Sequence, residues 1–468
     1  MNALAVNCMP IPSSEMISRF DLPGAPYTSY PTPDRFVEAF AADQVSQALV
    51  QRQNGAAAMW LPLGVYVHIP FCESLCYYCA CTKVVTKHHE RGDTYLHYLE
   101  REVALHTKHL GTGQAVCQLH LGGGSPTFLG DQQLAELMAM LRRSFKFAPD
   151  GEYSIEVDPR TVDAARLAAL AALGFNQLSF GVQDFDPLVQ KAVHRMQPAA
   201  EVVSLVEAAR ALGFTCINVD LIYGLPQQTP ASFDRTLAQT VLLRSDRISL
   251  YPYNHLPQRF KPQRRISAAD LPDAQAKLAM LSNSIAALEK AGYVYIGMDH
   301  FALPHDPLAV AKRQGRLHRN VQGYTTQPDC DLISLGVSAI GRVGANYSQN
   351  AKTLDEYYDH LDQGRLPVVR GLALSRDDLV RRSVIMALMC QERLEFESVE
   401  LAHLIDFNSY FAREMPALRR MQEHGLVEIT DTSLQVTPLG RYFVQSVARV
   451  FDRYLQADRS RAMFSEII

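Results

Sequence analysis

No run of about 18 apolar residues occurs in this 468-residue chain, so no membrane-spanning helix is expected. Met1 to Pro12 contains no Lys or Arg, so the basic-then-apolar pattern of a secretory signal is missing. The sequence also lacks low-complexity segments, long blocks of like charge and an evident coiled-coil or apolar docking stripe. Together these absences point to a monomer of the cytoplasm, where thiols stay reduced and structural disulfides are rare. The formal charge of -4 gives no electrostatic reason to expect nucleic acid as the main partner. What remains is an ordinary globular composition, 47% hydrophobic, of a length that suggests about three domains.

The distinctive feature is a cluster of cysteines, Cys72, Cys76, Cys79 and Cys81, spaced C-x3-C-x2-C-x-C directly after the strand-like run Val65 to Phe71. The first three suit a four-iron, four-sulfur cluster held by three thiolates, which leaves one iron open to a non-protein ligand. Zinc is the inorganic alternative, although zinc ligands more often arrive as two C-x2-C pairs separated by a longer loop. Four thiolates in one short loop would be strained around a single ion, whereas a cubane spreads its irons over several ångströms. The other cysteines, Cys8, Cys117, Cys216, Cys330 and Cys390, are scattered and read as buried thiols.

Strand-like runs alternate with helical patterns over Val65 to Phe71, Val116 to Leu121, Tyr153 to Val157, Gln177 to Gly181, Cys216 to Ile222 and Arg247 to Tyr253. One intervening helix places Leu134, Leu137, Met138 and Leu141 on one face with Asp131 as its N-cap, and another starts at Asp93. Six βα units in sequence predict a parallel sheet with right-handed crossovers. Six strands are too few to close an eight-stranded barrel, so the expected fold is α/β, an open six-stranded partial β/α barrel. Barrel chemistry lies at the C-terminal strand ends. There the chain collects the cysteine loop, Gly122 to Pro126, Glu156 to Pro159, Gln183 and Asp184, Asp220, and Tyr253 to His255.

From Arg376 onward the pattern is helical, with strand-like Gly425 to Ile429 and Leu434 to Val436 suggesting a hairpin in a winged-helix-like domain. No basic stripe accompanies it, so a lid or docking role is expected rather than DNA binding. The expected divisions are an N-terminal arm over 1–60, the barrel over 61–300, a barrel extension and substrate-side segment over 301–370, and the helical domain over 371–468.

Several motifs carry a resemblance. They are Tyr66-Val67-His68-Ile69-Pro70-Phe71-Cys72 with the following cysteines, Gly122 to Thr127, Gly181-Val182-Gln183-Asp184-Phe185, and Asp220-Leu221-Ile222-Tyr223-Gly224-Leu225-Pro226. Gly297-Met298-Asp299-His300-Phe301-Ala302 and His318-Arg319-Asn320 through Tyr324-Thr325-Thr326 extend it. In these segments the chain resembles the oxygen-independent coproporphyrinogen III oxidases, radical S-adenosylmethionine enzymes of heme synthesis. The resemblance implies a barrel of the radical S-adenosylmethionine type and the oxidative decarboxylation of two propionates of coproporphyrinogen III to vinyls. It implies an electron-donating flavodoxin or ferredoxin system and a 5'-deoxyadenosyl radical that abstracts hydrogen from the propionate β-carbon.

Residue by residue, the resemblance implies that Cys72, Cys76 and Cys79 bind the cluster, whereas Cys81 belongs to the motif without being a ligand. It implies two molecules of S-adenosylmethionine. The cluster-bound one would touch Tyr66, Tyr78, Gly123, Glu156 and Ile340, and the second Gly124, Ser125, Gln183, Arg195, Asp220 and Asn254. Tyr66 and Cys81 are the expected catalytic residues. Ser125 stands where the family often has Thr, Asn254 where a small residue is common, Ala80 for a glycine, Thr82 for an asparagine, and Pro26 where arginine is usual. The four carboxylates of the substrate call for basic residues at the barrel mouth, with Arg264, Arg265 and Arg319 as candidates. His68, His255, His300 and His318 read as hydrogen-bonded core residues. The competing reading is a heme-binding chaperone with the same cluster and barrel but no decarboxylase activity. Such relatives typically lack the fourth cysteine, so Cys81 and the His318 to Thr326 segment favour the enzyme.

Overall fold

A computed structural model describes residues 10, 12–20, 27–55, 61–298, 300–327 and 329–457. The apolar runs become strands Leu63–Ile69, Gln114–Gly123, Phe145–Val157, Gln177–Gln183, Cys216–Tyr223 and Arg247–Pro252. Each pairs in parallel with the next, in chain order. Helices return the chain between them, several fixed by side-chain caps that satisfy the free N–H groups of the first turn. Asp163 accepts from Arg166 N, Thr229 from Ser232 N and Asp273 from Ala276 N.

Asp131 is not a cap. The helix Asp131–Ser144 begins with it, Gly130 holds the cap position, and the Gln133 side chain accepts from the Gly130 N–H at 2.9 Å. The apolar stripe is as expected, with Leu134, Leu137, Met138 and Leu141 all buried. The helix expected from Asp93 starts one turn earlier and runs Glu90–Leu110, because Asp93 accepts instead from Gln133 Nε2 at 2.6 Å.

The sheet extends beyond the six expected strands to twelve. Leu332–Leu335 adds in parallel to the first strand, followed by antiparallel Ile340–Val343, Asn346–Asn350 and Val368–Ala373. On the far edge His300–Ala302 and Val294–Gly297 pair antiparallel. These additions are short. Leu332–Leu335 is buried at every residue and so shows no alternation to mark it.

In the C-terminal region the expected hairpin forms from Val427–Ile429 and Ser433–Val436, with Arg393–Glu395 as a third strand. One hydrophobic core runs from Phe20 and Tyr27 to Phe451, and Tyr27 OH donates to Asp452 Oδ2 at 2.7 Å. Cys117, Cys216, Cys330 and Cys390 are buried free thiols. Cys8 and Pro26 lie outside the described residues.

Glu102 ties the sheet extension to the barrel. This fully buried carboxylate accepts from Gly336 N at 2.7 Å, Asn350 Nδ2 at 2.7 Å and Tyr357 OH at 2.5 Å. Burial raises its pKa to about 7, and the three donors oppose that rise. Glu102→Ala orphans all three and is expected to cost about 3 kcal/mol. The measurement is the thermal midpoint of the purified variant, which should fall well below that of Glu102→Gln.

Candidate active site

Cys72 ends a short strand, Phe71–Cys72, that pairs in parallel with Val84–Val85, and Thr86 N donates to Cys72 O at 2.9 Å. The loop between is pinned from outside: Tyr77 N reaches Val193 O at 3.0 Å and Gln263 Nε2 reaches Tyr78 O at 3.0 Å. This anchoring presents Cys72, Cys76, Cys79 and Cys81 to one cavity of about 670 Å³ at the C-terminal ends of the barrel strands.

The register of the strands supplies the rest of the wall. Ile69 pairs with Gly123, Glu156 with Ser179, Gly181 with Asp220 and Asp220 with Ser249. Of the expected contact residues, Tyr78, Gly123, Gly124, Ser125, Glu156, Gln183, Arg195, Asp220 and Asn254 line this cavity. Tyr66 and Ile340 do not. Tyr66 lies beneath the rim, stacked on His120 at a centroid distance of 5.9 Å, and Ile340 accepts at its carbonyl from Ser334 OH.

Glycine is required where the loop after the second strand turns close to its neighbour. Gly123 has φ +116° and a Cβ there would meet the His68 ring at 2.6 Å, while one on Gly124 would meet Pro70 and Phe71 backbone at 2.8 Å. Gln183 holds φ +69° without being glycine, a strained conformation of the kind that collects at functional sites.

Charge is distributed unevenly around the thiols. Asp158 holds two guanidiniums, Arg160 at 2.7 Å and Arg195 at 3.2 Å, and both also reach Cys76 Sγ, at 3.7 and 3.6 Å. Cys81 donates to Cys79, which lowers the Cys79 thiol and raises that of Cys81. Lys83 Nζ caps the Cys79 and Cys81 carbonyls at 3.2 and 3.4 Å.

The two carboxylates above the loop differ. Burial opposes ionisation of Glu156, but the His120 ring, the Gly123 N–H at 3.1 Å and His68 outweigh it and hold the carboxyl below its usual value. Asp220 is pushed up to about 6 by burial and by the charge of Glu156, against the hydrogen bonds of Ser179 and Asn218.

These residues fit a cluster with a sulfonium nucleotide beside it. Three thiols share one wall, the glycine backbone leaves room for close approach, and the buried Ser125 Oγ and Arg195 Nε have no hydrogen-bond partner among the described residues. Orphaned buried donors of this kind call for a ligand.

Asp158, Arg160 and Lys83 were not singled out from the sequence as site residues. Asp158 was in view within the Glu156 to Pro159 turn, and Arg160 follows two residues later. The basic candidates lie elsewhere. Arg264 is bound to Pro257 O, Arg265 sits over Tyr77, and Arg319 is buried 4.4 Å from the Tyr324 ring, whereas Arg259 lines the cavity. His68 is a core residue, its ring nitrogens meeting Tyr66 OH at 3.1 Å and Thr82 O at 3.0 Å. His300 meets Met298 O at 2.7 Å, and burial lowers it to about 4.

Residues 66–239 match the family model described as the Radical SAM superfamily, and residues 374–443 that of the HemN C-terminal domain. The chain is 49% identical over 458 residues to the oxygen-independent coproporphyrinogen III oxidase of Pseudomonas aeruginosa, covering 97% of this chain and 98% of that protein. It is 46% identical over 453 residues to the protein of that name from Escherichia coli, again covering 97% and 98%. The solved structure of the Escherichia coli coproporphyrinogen III oxidase, described as a radical SAM enzyme, aligns with a TM-score of 0.90 at 46% identity. That alignment covers 95% of this chain and all of the other.

Proposed function

The chain belongs to the oxygen-independent coproporphyrinogen III oxidase family of radical S-adenosylmethionine enzymes, and from that premise we propose how its residues divide the reaction. The reaction is the oxygen-independent oxidative decarboxylation of two propionates of coproporphyrinogen III to vinyls, giving protoporphyrinogen IX. The observation that carries the reading is the convergence of the motif cysteines and most of the family-matched polar residues on one cavity. When bound, the 4Fe-4S cluster and S-adenosylmethionine supply one-electron cleavage and a hydrogen-abstracting carbon radical.

Cys72, Cys76 and Cys79 hold the cluster. The guanidiniums of Arg160 and Arg195 stabilise negative charge on Cys76, and Asp158 fixes both of them. Glu156, kept ionised and anchored on Gly123 N, accepts from an ammonium or hydroxyl of the cluster-side nucleotide. Tyr66 stacks on His120 and so acts as a positioning residue for Glu156. A second S-adenosylmethionine is held by Gly124, Ser125, Gln183, Arg195, Asp220 and Asn254. Its support is the orphaned Ser125 hydroxyl and a second carboxylate on a different strand from Glu156. A flavodoxin- or ferredoxin-type carrier supplies the electron, and the enzyme works as a monomer in the cytoplasm. Among the described residues no helix is long and apolar enough to cross a membrane. The arm, barrel, extension and C-terminal divisions at 60, 300 and 370 are part of the same reading.

Asp220 gives this assignment a pH signature. Its carboxylate is the accepting form, so affinity for S-adenosylmethionine should weaken as pH falls through about 6. A folded value raised above the ordinary carboxylate value makes ionised Asp220 a net cost to the fold, present above that folded value and relieved below it. Asp220→Asn is therefore expected to raise KM for S-adenosylmethionine about tenfold at pH 7.5 without lowering the thermal midpoint. Paired kinetics and melting curves check both halves.

The function is tested by anaerobic assay of the reconstituted, dithionite-reduced protein with S-adenosylmethionine and coproporphyrinogen III. Protoporphyrin and 5'-deoxyadenosine should form together. Deoxyadenosine without decarboxylation, paired with tight heme binding, would overturn the reading in favour of a chaperone.

A further inference from the structure

Arg259 lines the cavity on the side where the N-terminal arm contributes Thr28, Pro33 and Asp34, and Lys352 and Arg370 lie within electrostatic reach of it. Arg259 lines the cavity beside Leu256 and Phe260, on the loop that follows Arg247–Pro252. Lys352 is exposed just beyond the strand Asn346–Asn350. Arg370 lies in the neighbouring strand Val368–Ala373, paired with Gln349, and its Nε donates to Gln349 Oε1 at 2.7 Å. The arm reaches this strand. Val37 bridges to Gly371, and the Arg370 guanidinium stands 5.8 Å from the Phe36 ring.

The three charges act on one another. Burial first, then the charges of Arg370 and Arg259, holds Lys352 below its ordinary value. Burial and Arg259 likewise depress Arg370, with Asp34 and Glu38 opposing in part. Among the described residues none of the three makes an ion pair within 4.0 Å. Asp34, which also lines the cavity, and Glu38 offset this repulsion in part, and the carboxylates of an incoming ligand would offset more of it.

We propose that Arg259, Lys352 and Arg370 form a carboxylate-binding site at the cavity mouth, which holds propionates of the tetrapyrrole while another propionate faces the cysteine loop. The inference rests on the substrate assigned above. Leu256 and Phe260 give the macrocycle an apolar face next to the cations, and charge-assisted contacts to several carboxylates set the orientation of the ring. Because the two propionates that react differ in position on the ring, a fixed set of anchors also determines which of them is presented.

The test compares Arg259→Gln, Lys352→Gln and their double variant in the reconstituted holoenzyme. Each single change should raise KM for coproporphyrinogen III about tenfold and the double about a hundredfold, with kcat changed less than about threefold. Arg259→Lys should recover most of the loss. A second readout is independent of turnover: fluorescence titration with coproporphyrin III, the oxidised tetracarboxylate, against its tetramethyl ester. Wild type should prefer the acid, more strongly at low salt, and the double variant should lose that preference. Unchanged KM and unchanged preference in the double variant overturn the proposal. A wild-type protein that binds the acid through these residues yet never decarboxylates it overturns the function and leaves the site standing. Lys352→Gln, at an exposed position, keeps the test open if changes at the other two disturb folding.

Discussion

Cys76→Ala is expected to leave the protein folded, free of iron after anaerobic reconstitution and without turnover. Only three thiolates are assigned to the cluster, so losing one removes a third of its covalent anchoring. Cys81 is the one nearby thiol, but its donation to Cys79 ties it to that side of the loop. The fold should survive because the charges around Cys76 are mutually satisfied. Asp158 pairs with both Arg160 and Arg195, and Arg195 also donates to Gly181 O at 2.6 Å. The loop itself is held by Gln263 and by the Val193 carbonyl rather than by the thiol. Iron and sulfide content, the visible absorbance of the cluster and circular dichroism together decide the matter. Retention of a full cluster would show that Cys76 is not a ligand. Because the radical chemistry has no source without the cluster, activity should fall to background, a loss of six orders of magnitude or more on the usual scale of enzymatic acceleration, about 10⁶-fold at the least.

The parts of this molecule that were legible in the sequence are those with a strong local period or a dense chemical signature. Six strands of six to thirteen residues, separated by amphipathic helices, announce a parallel sheet whatever the details of their ends. The cysteine spacing announces a metal loop. The glycines at the end of the second strand and the carboxylates late in the third and fifth fall on one rim by barrel topology alone. What stayed hidden depends on contacts between distant segments. Leu332–Leu335 and the three antiparallel strands beyond it are four to six residues long, and turn residues between them mask their apolar character. Arg259 looks like any exposed arginine in a turn, and its meaning comes from Lys352 and Arg370, about a hundred residues away in the chain. Arg319 attracted notice as part of a motif, yet tertiary packing buries it against Tyr324. A basic residue is assigned to a substrate only after the fold says which charges share a space.

Cys81→Ser is expected to separate cluster assembly from catalysis. The substitution keeps a hydrogen-bond donor of similar shape two residues from Cys79, so the ligand thiolate retains its neighbour and the cluster should assemble with normal iron content. Cys81 itself is exposed and lines the cavity, and its donation to Cys79 keeps it in the neutral thiol form rather than as a thiolate. A neutral thiol at the wall can give up a proton near the substrate, whereas an alcohol does so far less readily because its O–H is less acidic. Turnover should therefore fall by about 10²–10⁴-fold, the range associated with losing one positioned proton-transfer group. Deoxyadenosine formation measured separately locates the defect. If S-adenosylmethionine is still cleaved while no vinyl forms, Cys81 acts on the substrate after cofactor activation. If iron is lost along with activity, Cys81 is a structural partner of the cluster and the division of roles between the third and fourth cysteines falls.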